Sequence, residues 1–444
     1  METNPEIFKA YDIRGVFGKD FGQEAAYSIG RVFVDFLKKN NPKIAIGRDN
    51  RLSSPRLFKS LCKGIVEGGG TVFDIGLATT PLLYFSVVKL KADGGINITA
   101  SHNPAQYNGF KVVRERAVPV SGETGLAEIK DIALSGRFKG KGKGKIVKKN
   151  TIKEYIKFNL KSFKKQKPLK IVIDTANAVS GIMVPKIFKG SGNKIIHLYS
   201  KLDGLFPNHN PDPLVKDNLR EICLATKEKR ADLGIAFDGD GDRIFFIDEN
   251  GDIVPGDLIT ALIADLILKR NPKENIIYDI RSSNIIKEVA KRNGGKAFGG
   301  RIGHSLIKEA MRKNNTVFAG ELSGHFYFRS HYFSEAPFAV LGEVLKEIAK
   351  GRKLSQIIKP YRKYFHSGEI NFEVEDKKRA LRVLKQKFKD GKVLEIDGLR
   401  IDFKNWWFLV RPSNTEPVIR LVVEAKDRKT LDQKTHLLSD ILHS

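Results

Sequence analysis

The sequence predicts an α/β protein: three successive units of alternating strands and helices, closed by a fourth segment of α+β type. Three observations carry this. Short apolar runs alternate with stretches of helical period through most of the chain. Each of the first three segments ends a strand in a polar loop punctuated by glycine or proline, at Thr99–Pro104, Asp238–Arg243 and Gly320–His325. In the last segment the strand patterns group together, with helices to one side.

In the first segment, apolar spacing predicts a helix over 24–38 and a buried strand at Ile44–Gly47 that ends at Arg48 and Asp49. A helix over 55–67 stops at Gly68-Gly69-Gly70. Thr71–Asp74 reads as a strand, and Thr80 reads as the cap of a helix with Pro81 in its first turn. Strand 95–98 leads into Ser101, and Phe110–Val113 returns as a strand. Pro104 lacks an N–H and biases Asn103 away from helix, so the strand ends in a tight loop at Ser101-His102-Asn103. The basic, glycine-rich stretch Arg137–Lys145 reads as a solvated hairpin or linker.

The second segment begins near residue 150. It carries strands at 170–174, 194–198, 232–237 and 244–248, with helices over 179–189 and 215–229. The third has a long helix from Asp257 to about Lys269, strands at 275–279 and 316–319, and helices at 283–293, 304–314 and 336–350. The fourth has strands at 369–374, 406–410 and 418–423, and helices at 376–389 and 427–442. Trp406 and Trp407 read as core and edge packing. The expected domains are 1–149, 150–250, 251–362 and 363–444.

Bulk properties narrow the function. The 444 residues suit about three domains, give or take one. No apolar run approaches the roughly 18 residues that span a bilayer, and the N-terminal residues lack a basic-then-apolar leader pattern. Cys62 and Cys223 lie in no paired motif, which fits two reduced thiols in a cytoplasmic protein. The net charge of +27 raises polyanion binding as one reading. The lysines are spread over every segment, however, and such a surface also attracts small dianionic substrates.

The loops carry the chemistry. Ser101 offers a hydroxyl beside an imidazole and free backbone N–H groups, a place for a covalently held phosphate. Asp238, Asp240 and Asp242 alternate with glycines, so a tight turn gathers three like charges that need a cation among them. Glu249 falls at the twelfth position of a calcium-loop template. Arg243 stands where that template needs glycine, and the flanks read as strands, so Mg²⁺ bridged to a phosphate is the better reading. Arg243 then pairs with the phosphate or orients a carboxylate. Arg411-Pro412-Ser413-Asn414-Thr415 forms an anion cradle, with Arg420 on the next strand. Glu321, Ser323 and His325 suit vicinal sugar hydroxyls. For proton transfer the candidates are Lys111, His304, His102 and His325, and Lys111 is expected to have a pKa lowered by cations and burial. Taken alone the Ser101, Gly320–His325 and Arg411–Thr415 loops each have a plainer reading as a polar turn, which the three crowded aspartates do not, and His304 reads equally as an ordinary first residue of a helix.

Together the loops resemble the α-D-phosphohexomutase superfamily, and within it the phosphomannomutase/phosphoglucomutase group. Thr99–Pro104 is similar to the family's phosphoserine loop, Asp238–Arg243 to its metal loop, Gly320–His325 to its sugar loop and Arg411–Pro417 to its phosphate loop. Tyr11-Asp12-Ile13-Arg14-Gly15 resembles its N-terminal motif, whose Tyr and Arg reach the active site. The resemblance implies three similar α/β domains with mixed sheets and a C-terminal α+β domain, arranged around a central active-site cleft.

The resemblance also implies interconversion of hexose 1-phosphate and hexose 6-phosphate through phosphorylated Ser101 and a hexose 1,6-bisphosphate, which serves as activator and intermediate. One Mg²⁺ would sit on the three aspartates and a phosphoserine oxygen. Lys111 and His304 match acid/base positions. Tyr11, Arg14, His102, Arg281 and His325 line the substrate, and Glu321 and Ser323 hold sugar hydroxyls. Arg411, Ser413, Asn414, Thr415 and Arg420 hold the non-reacting phosphate. The partners expected are small phosphosugars, with no nucleic acid or membrane, for a monomer or weak homo-oligomer. Asn414 favours this group over the phosphoglucosamine mutases, the alternative. Two departures stand out: Arg281 where the group commonly has lysine, and Tyr332–Pro337, which lacks the usual paired aspartate and glycine.

Overall fold

The computed structural model describes residues 4–139, 142–161, 163, 167–412 and 418–443. The chain forms two compact units. The first comprises Met1–Pro255, Gly303–Asn315 and Ser323–Ile357; the second comprises Gly256–Ile302, Thr316–Leu322 and Ile358–Ser444.

The first unit contains two mixed sheets. One runs, in spatial order, Ile13–Val16, Tyr107–Arg114, Gly94–Ile98, Lys43–Arg48, Thr71–Leu77 and Lys145–Lys148. Tyr107–Arg114 is antiparallel to both of its neighbours and the remaining pairs are parallel. Strand Gly94–Ile98 is buried along its whole length, as a central strand covered on both faces must be. The helices Gln23–Leu37 and Ser54–Glu67 bury Ile29, Val32, Phe33, Leu57, Leu61 and Ile65 with its side chains. At roughly 25 cal/mol per Å² of apolar surface, such a continuous core dominates the stability of this layer.

The second sheet runs Ile253–Val254, Ile244–Ile247, Leu233–Phe237, Lys170–Asp174 and Lys194–Leu198. Leu233–Phe237 and Ile244–Ile247 pair antiparallel, with Phe237 opposite Ile244. The six residues between them are therefore a hairpin loop, which holds the three aspartates. The first unit also contains the helix His304–Lys313 and the antiparallel pair Phe326–Phe328 and Ser334–Glu335.

In the second unit, Asn275–Asp279 pairs in parallel with Lys296–Gly300 and with Phe318–Gly320. An antiparallel sheet follows in the order Phe365–His366, Val418–Ala425, Trp406–Pro412, Leu399–Asp402 and Lys392–Leu394, with Ile370–Glu373 also on Val418–Ala425. The helices Lys377–Lys387 and Arg428–His443 cover it through Leu384, Leu431, Leu438 and Leu442. This is the expected α+β pattern. Trp407 is fully buried with Ile280, Leu409 and Val422, and Trp406 packs at the edge of the separate core that holds Phe408 and Val410.

Several elements differ from expectation. The stretch 179–189 splits into a 3-10 turn, Val179–Ile182, and one short helix, Val184–Ile187, because Pro185 removes a backbone donor. Lys145–Lys148, at the end of the stretch read as a hairpin or linker, joins the first sheet as an edge strand that was not expected there. The helix after the first glycine cluster is capped by Thr79, whose hydroxyl accepts from the Leu82 N–H at 3.3 Å, and not by Thr80. Among the described residues no helix is long and apolar enough to cross a membrane.

Candidate active site

Ser101 follows strand Gly94–Ile98 and has a left-handed backbone, with φ +50°. An L-residue resists that conformation unless its surroundings impose it. Here Thr99 Oγ1 accepts the Ser101 N–H at 2.9 Å, and Arg51 holds the loop from beneath. Arg51 is buried, and its Nε donates to Asp49 Oδ2 at 3.0 Å. Its terminal nitrogens donate to the carbonyls of Ser101 (2.8 Å), Asn103 (2.6 Å), Pro104 (2.6 Å) and Tyr107 (3.1 Å). The Phe206 ring lies 5.0 Å from this guanidinium.

The Ser101 hydroxyl donates to Asp238 Oδ2 at 2.8 Å. Asp238, Asp240 and Asp242 are all buried, and one carboxylate oxygen from each lies within 4.8 Å of the others. Two glycines permit this. A Cβ on Gly239 would stand 2.2 Å from the Ser101 carbonyl oxygen, and Gly241 has φ +66° with Ser180 Oγ in the way of any side chain. Thr80 fixes the middle carboxylate: its N–H meets the Asp240 carbonyl at 2.9 Å and its hydroxyl meets Asp240 Oδ2 at 2.5 Å, while Asn97 donates to that hydroxyl.

Lys111 reaches this trio because Tyr107–Arg114 runs antiparallel to Gly94–Ile98, with Lys111 opposite Asn97. Its Nζ lies 2.8 Å from Asp240 Oδ2 and 2.5 Å from Asp242 Oδ2. The expected lowering of its pKa is not what the structure shows. Burial works to lower it, but Asp240, Asp242 and Asp238 outweigh burial and raise it above the ordinary lysine value. The aspartates divide correspondingly. Burial, then Asp242 and Asp240, push Asp238 well above the usual range. Asp242 is held well below it, against burial, by Lys111 and His325.

These residues fit a hard divalent cation. The donor set is all carboxylate, it is dry, and Asp240 Oδ1 is buried with no hydrogen-bond partner. Asp242, His325 and Glu335 also offer atoms within 4.8 Å of one another, but Glu335 is already taken by Lys308 at 3.0 and 3.1 Å.

Arg243 donates its N–H to Asp238 Oδ1 at 3.1 Å, and its guanidinium lies 3.4 Å from His325 Nε2 and 3.8 Å from Asp212. His325 is anchored by Ser323 at 2.9 Å and sits 3.2 Å from Asp242, so it serves the aspartate loop directly. His102 Nδ1 lies 3.3 Å from the Ser101 hydroxyl. Arg14 pairs with Asp12 and donates to Asn103 Oδ1 at 2.5 Å, which brings the N-terminal motif to the serine loop.

His304 opens its helix with the Tyr11 ring edge-on at 6.1 Å, and neither ring nitrogen has a hydrogen-bond partner. Burial first, then the charges of Lys308 and Lys111, hold its pKa well below the ordinary histidine value. Burial, then Arg243 and Arg14, do the same for His102. Both imidazoles are therefore held in the neutral form, each a weaker base than a free imidazole.

The remaining candidates lie in the second unit. Arg281 donates through Nε and Nη2 to the buried Asp279, and through Nη1 to Glu369 at 2.9 Å. Arg411 reaches Glu369 at 3.2 Å, and Arg420 stands opposite Arg411 on the adjacent strand. Glu321 is buried at the end of strand Phe318–Gly320. Ser413, Asn414 and Thr415 lie outside the described residues.

Sequence reasoning missed Arg51, Thr80, Asn97 and Lys308. Only the spacing of Arg51 two residues beyond the polar strand end at Asp49 offered a signal for the first of them.

A strand-end serine bonded to one of three buried aspartates, beside a buried lysine and two histidines, makes a site whose carboxylates could hold a metal ion. Comparison with known proteins places it. Residues 5–139, 150–251 and 255–364 match the alpha/beta/alpha domains I, II and III of phosphoglucomutase/phosphomannomutase, and 369–438 match its C-terminal domain. The chain belongs to this family, within the α-D-phosphohexomutase superfamily.

It is 41% identical to a phosphomannomutase of Methanocaldococcus jannaschii, over 98% of this chain and 97% of the relative. It is 36% identical to a phosphomannomutase/phosphoglucomutase of Pseudomonas aeruginosa, over 96% and 93%. The crystal structure of a phosphoglucomutase/phosphomannomutase family protein from Burkholderia thailandensis superposes with a TM-score of 0.92 at 32% identity, covering 99% of this chain and 97% of that one.

Proposed function

We propose that this protein is a phosphohexomutase, an isomerase that interconverts hexose 1-phosphate and hexose 6-phosphate with mannose or glucose as the sugar. The observation that carries the reading is the 2.8 Å bond from the Ser101 hydroxyl into the buried aspartate trio. A phosphoryl group on Ser101 would sit where its charge meets Lys111, Arg243 and a divalent cation.

In the reaction, phosphorylated Ser101 loses its O–P bond as a sugar hydroxyl forms one, which yields hexose 1,6-bisphosphate. The proton of that hydroxyl passes to a base, for which the candidate is His304, whose ring nitrogens make no hydrogen bond and whose Nδ1 lies 3.7 Å from Glu335. The bisphosphate returns its other phosphoryl group to Ser101 and leaves as the isomer. Asp238, Asp240 and Asp242 would hold a divalent cation such as Mg²⁺, which would supply positive charge to offset that of the phosphoryl group.

Lys111, held charged by the aspartates, stabilises the phosphoryl oxygens and is the second proton-transfer candidate. Arg14 and His102 fix the serine loop, Tyr11 and His325 line it, and Arg243 orients Asp238. Glu321 and Ser323 receive the sugar hydroxyls. Arg411, Arg281 and Arg420, with Ser413, Asn414 and Thr415, hold the phosphate that is not reacting. We read the domains as 1–149, 150–250, 251–362 and 363–444, and the protein as a cytoplasmic monomer or weak homo-oligomer acting on small phosphosugars.

The test is direct. With Mg²⁺ and a trace of hexose 1,6-bisphosphate, mannose 1-phosphate or glucose 1-phosphate should yield the 6-phosphate. Ser101→Ala should lose nearly all turnover while still binding phosphosugar. Absence of product from both sugars, or full activity in Ser101→Ala, refutes the proposal.

A further inference from the structure

The phosphate-holding arginines are already occupied. Arg411 and Arg420 face each other directly across two antiparallel strands, a like-charge pair that is unfavourable unless an anion lies between them. That anion is Glu369, just before strand Ile370–Glu373, which pairs with the same strand as Arg411 does. Glu369 Oε1 lies 3.2 Å from Arg411 and 3.9 Å from Arg420, and Oε2 lies 2.9 Å from Arg281.

Arg281 divides its guanidinium. Its Nε and Nη2 edge is committed to the buried Asp279, and only Nη1 is turned to Glu369. The carboxylate thus bridges separate guanidinium groups with separate oxygens, as a bound phosphate would. It is also partly open to water, with a side chain 27% exposed, unlike Asp279 at 0%. Burial works to raise its pKa, yet Arg281 and Arg411 hold it below the usual glutamate range, so the group is ionised.

We propose that Glu369 is a built-in counter-ion standing in for the substrate's non-reacting phosphate among Arg281, Arg411 and Arg420. Binding is then an exchange of one anion for another, not the filling of an empty cationic pocket. The inference rests on the reading of these arginines as phosphate holders and deepens it. It has a purpose in that reaction. An intermediate bearing two phosphates must release one end before presenting the other, and without the charge of Glu369 the three guanidiniums would hold that end more tightly. Glu369 keeps the arginines ordered when no phosphate is present, and keeps phosphate affinity low enough for release.

The test uses inorganic phosphate with the full-length protein, measured by calorimetric titration and as competitive inhibition. Glu369→Gln preserves shape and removes the charge. With one like charge removed from beside a dianion at a partly exposed site, phosphate should bind roughly three- to tenfold more tightly. KM for the hexose phosphate should fall with it, and kcat should fall as release slows. Glu369→Asp, which draws the charge back by one methylene, should change binding in the same direction by less. Unchanged or weaker phosphate binding in Glu369→Gln overturns the inference, since Glu369 would then only build the site. No phosphate binding by either the parent or the variant instead overturns the assignment of these arginines to phosphate.

Discussion

Arg51→Lys tests how the nucleophile loop is held. Arg51 is 1% exposed and makes five hydrogen bonds, one to Asp49 and four to carbonyls between Ser101 and Tyr107. Lysine keeps the charge but has three donors on one atom, and it cannot span acceptors arranged around a planar fork. At least two of those carbonyls lose their donor, that of Ser101 in a buried site and the others in a part-buried one. A buried polar group without its partner costs about 1–3 kcal/mol, which sets the loss at roughly 2–6 kcal/mol. Stacking over Phe206 adds a further ~0.5–2 kcal/mol where the cation–π contact is lost.

That is a large part of the ~5–15 kcal/mol by which domains are stable. It should appear as a lowered denaturant midpoint with unchanged slope. The loop itself should also relax, because Ser101 keeps φ +50° only while its carbonyl is pinned. Turnover should therefore fall at temperatures where the variant is still folded. A loss below about 1 kcal/mol, with normal turnover, would show that the loop holds its shape without the guanidinium.

Two further outcomes follow from buried charge. Glu335→Gln removes the counter-charge of Lys308, which is fully buried and otherwise meets, among the described residues, the Tyr84 hydroxyl at 3.2 Å and the face of that ring. Unfolding free energy should drop by about 3–5 kcal/mol, and Lys308→Met in the same chain should recover part of it. If Glu335→Gln melts like the parent, the pair is not what supports this wall. Burial would raise Asp265, but Lys269, Arg292, Asn293 and Tyr361 hold its carboxyl at about 2. Its folded pKa lies below its unfolded one, so its contribution is present above pH ~4 and is lost as pH falls through about 2. Asp265→Asn should cost about 1–2 kcal/mol at pH 7, and the difference from the parent should shrink towards pH 2. A difference that does not vary with pH would contradict the sign of the shift.

The aspartate and serine loops were legible as turns because their signals are local. Alternating Asp and Gly between two apolar runs specify a turn that gathers carboxylates, and Pro104 ends a strand wherever it is placed. The split at Val179–Ile187 and the edge strand Lys145–Lys148 were not foreseen. The split follows from Pro185, a local signal that the helical reading of 179–189 passed over, whereas the four-residue strand Lys145–Lys148 depends on pairing with Thr71–Leu77, far away in the chain. Tyr332–Pro337, read only as a departure from the family pattern, contains the partner of Lys308. Twenty-seven residues separate that lysine from Glu335, and no periodicity joins them.

By itself the sequence determined which turns exist, in what order, and what chemical groups each displays, since turn formation and apolar periodicity act over a few residues. Tertiary structure decided the charge states and the supports. Antiparallel pairing set Lys111 against the aspartates and so raised a pKa expected to fall. Arg51 and Thr80 became the holders of Ser101 and Asp240. Electrostatic energy depends on the distance and dryness between groups, and these come into being only when segments distant along the chain are packed together.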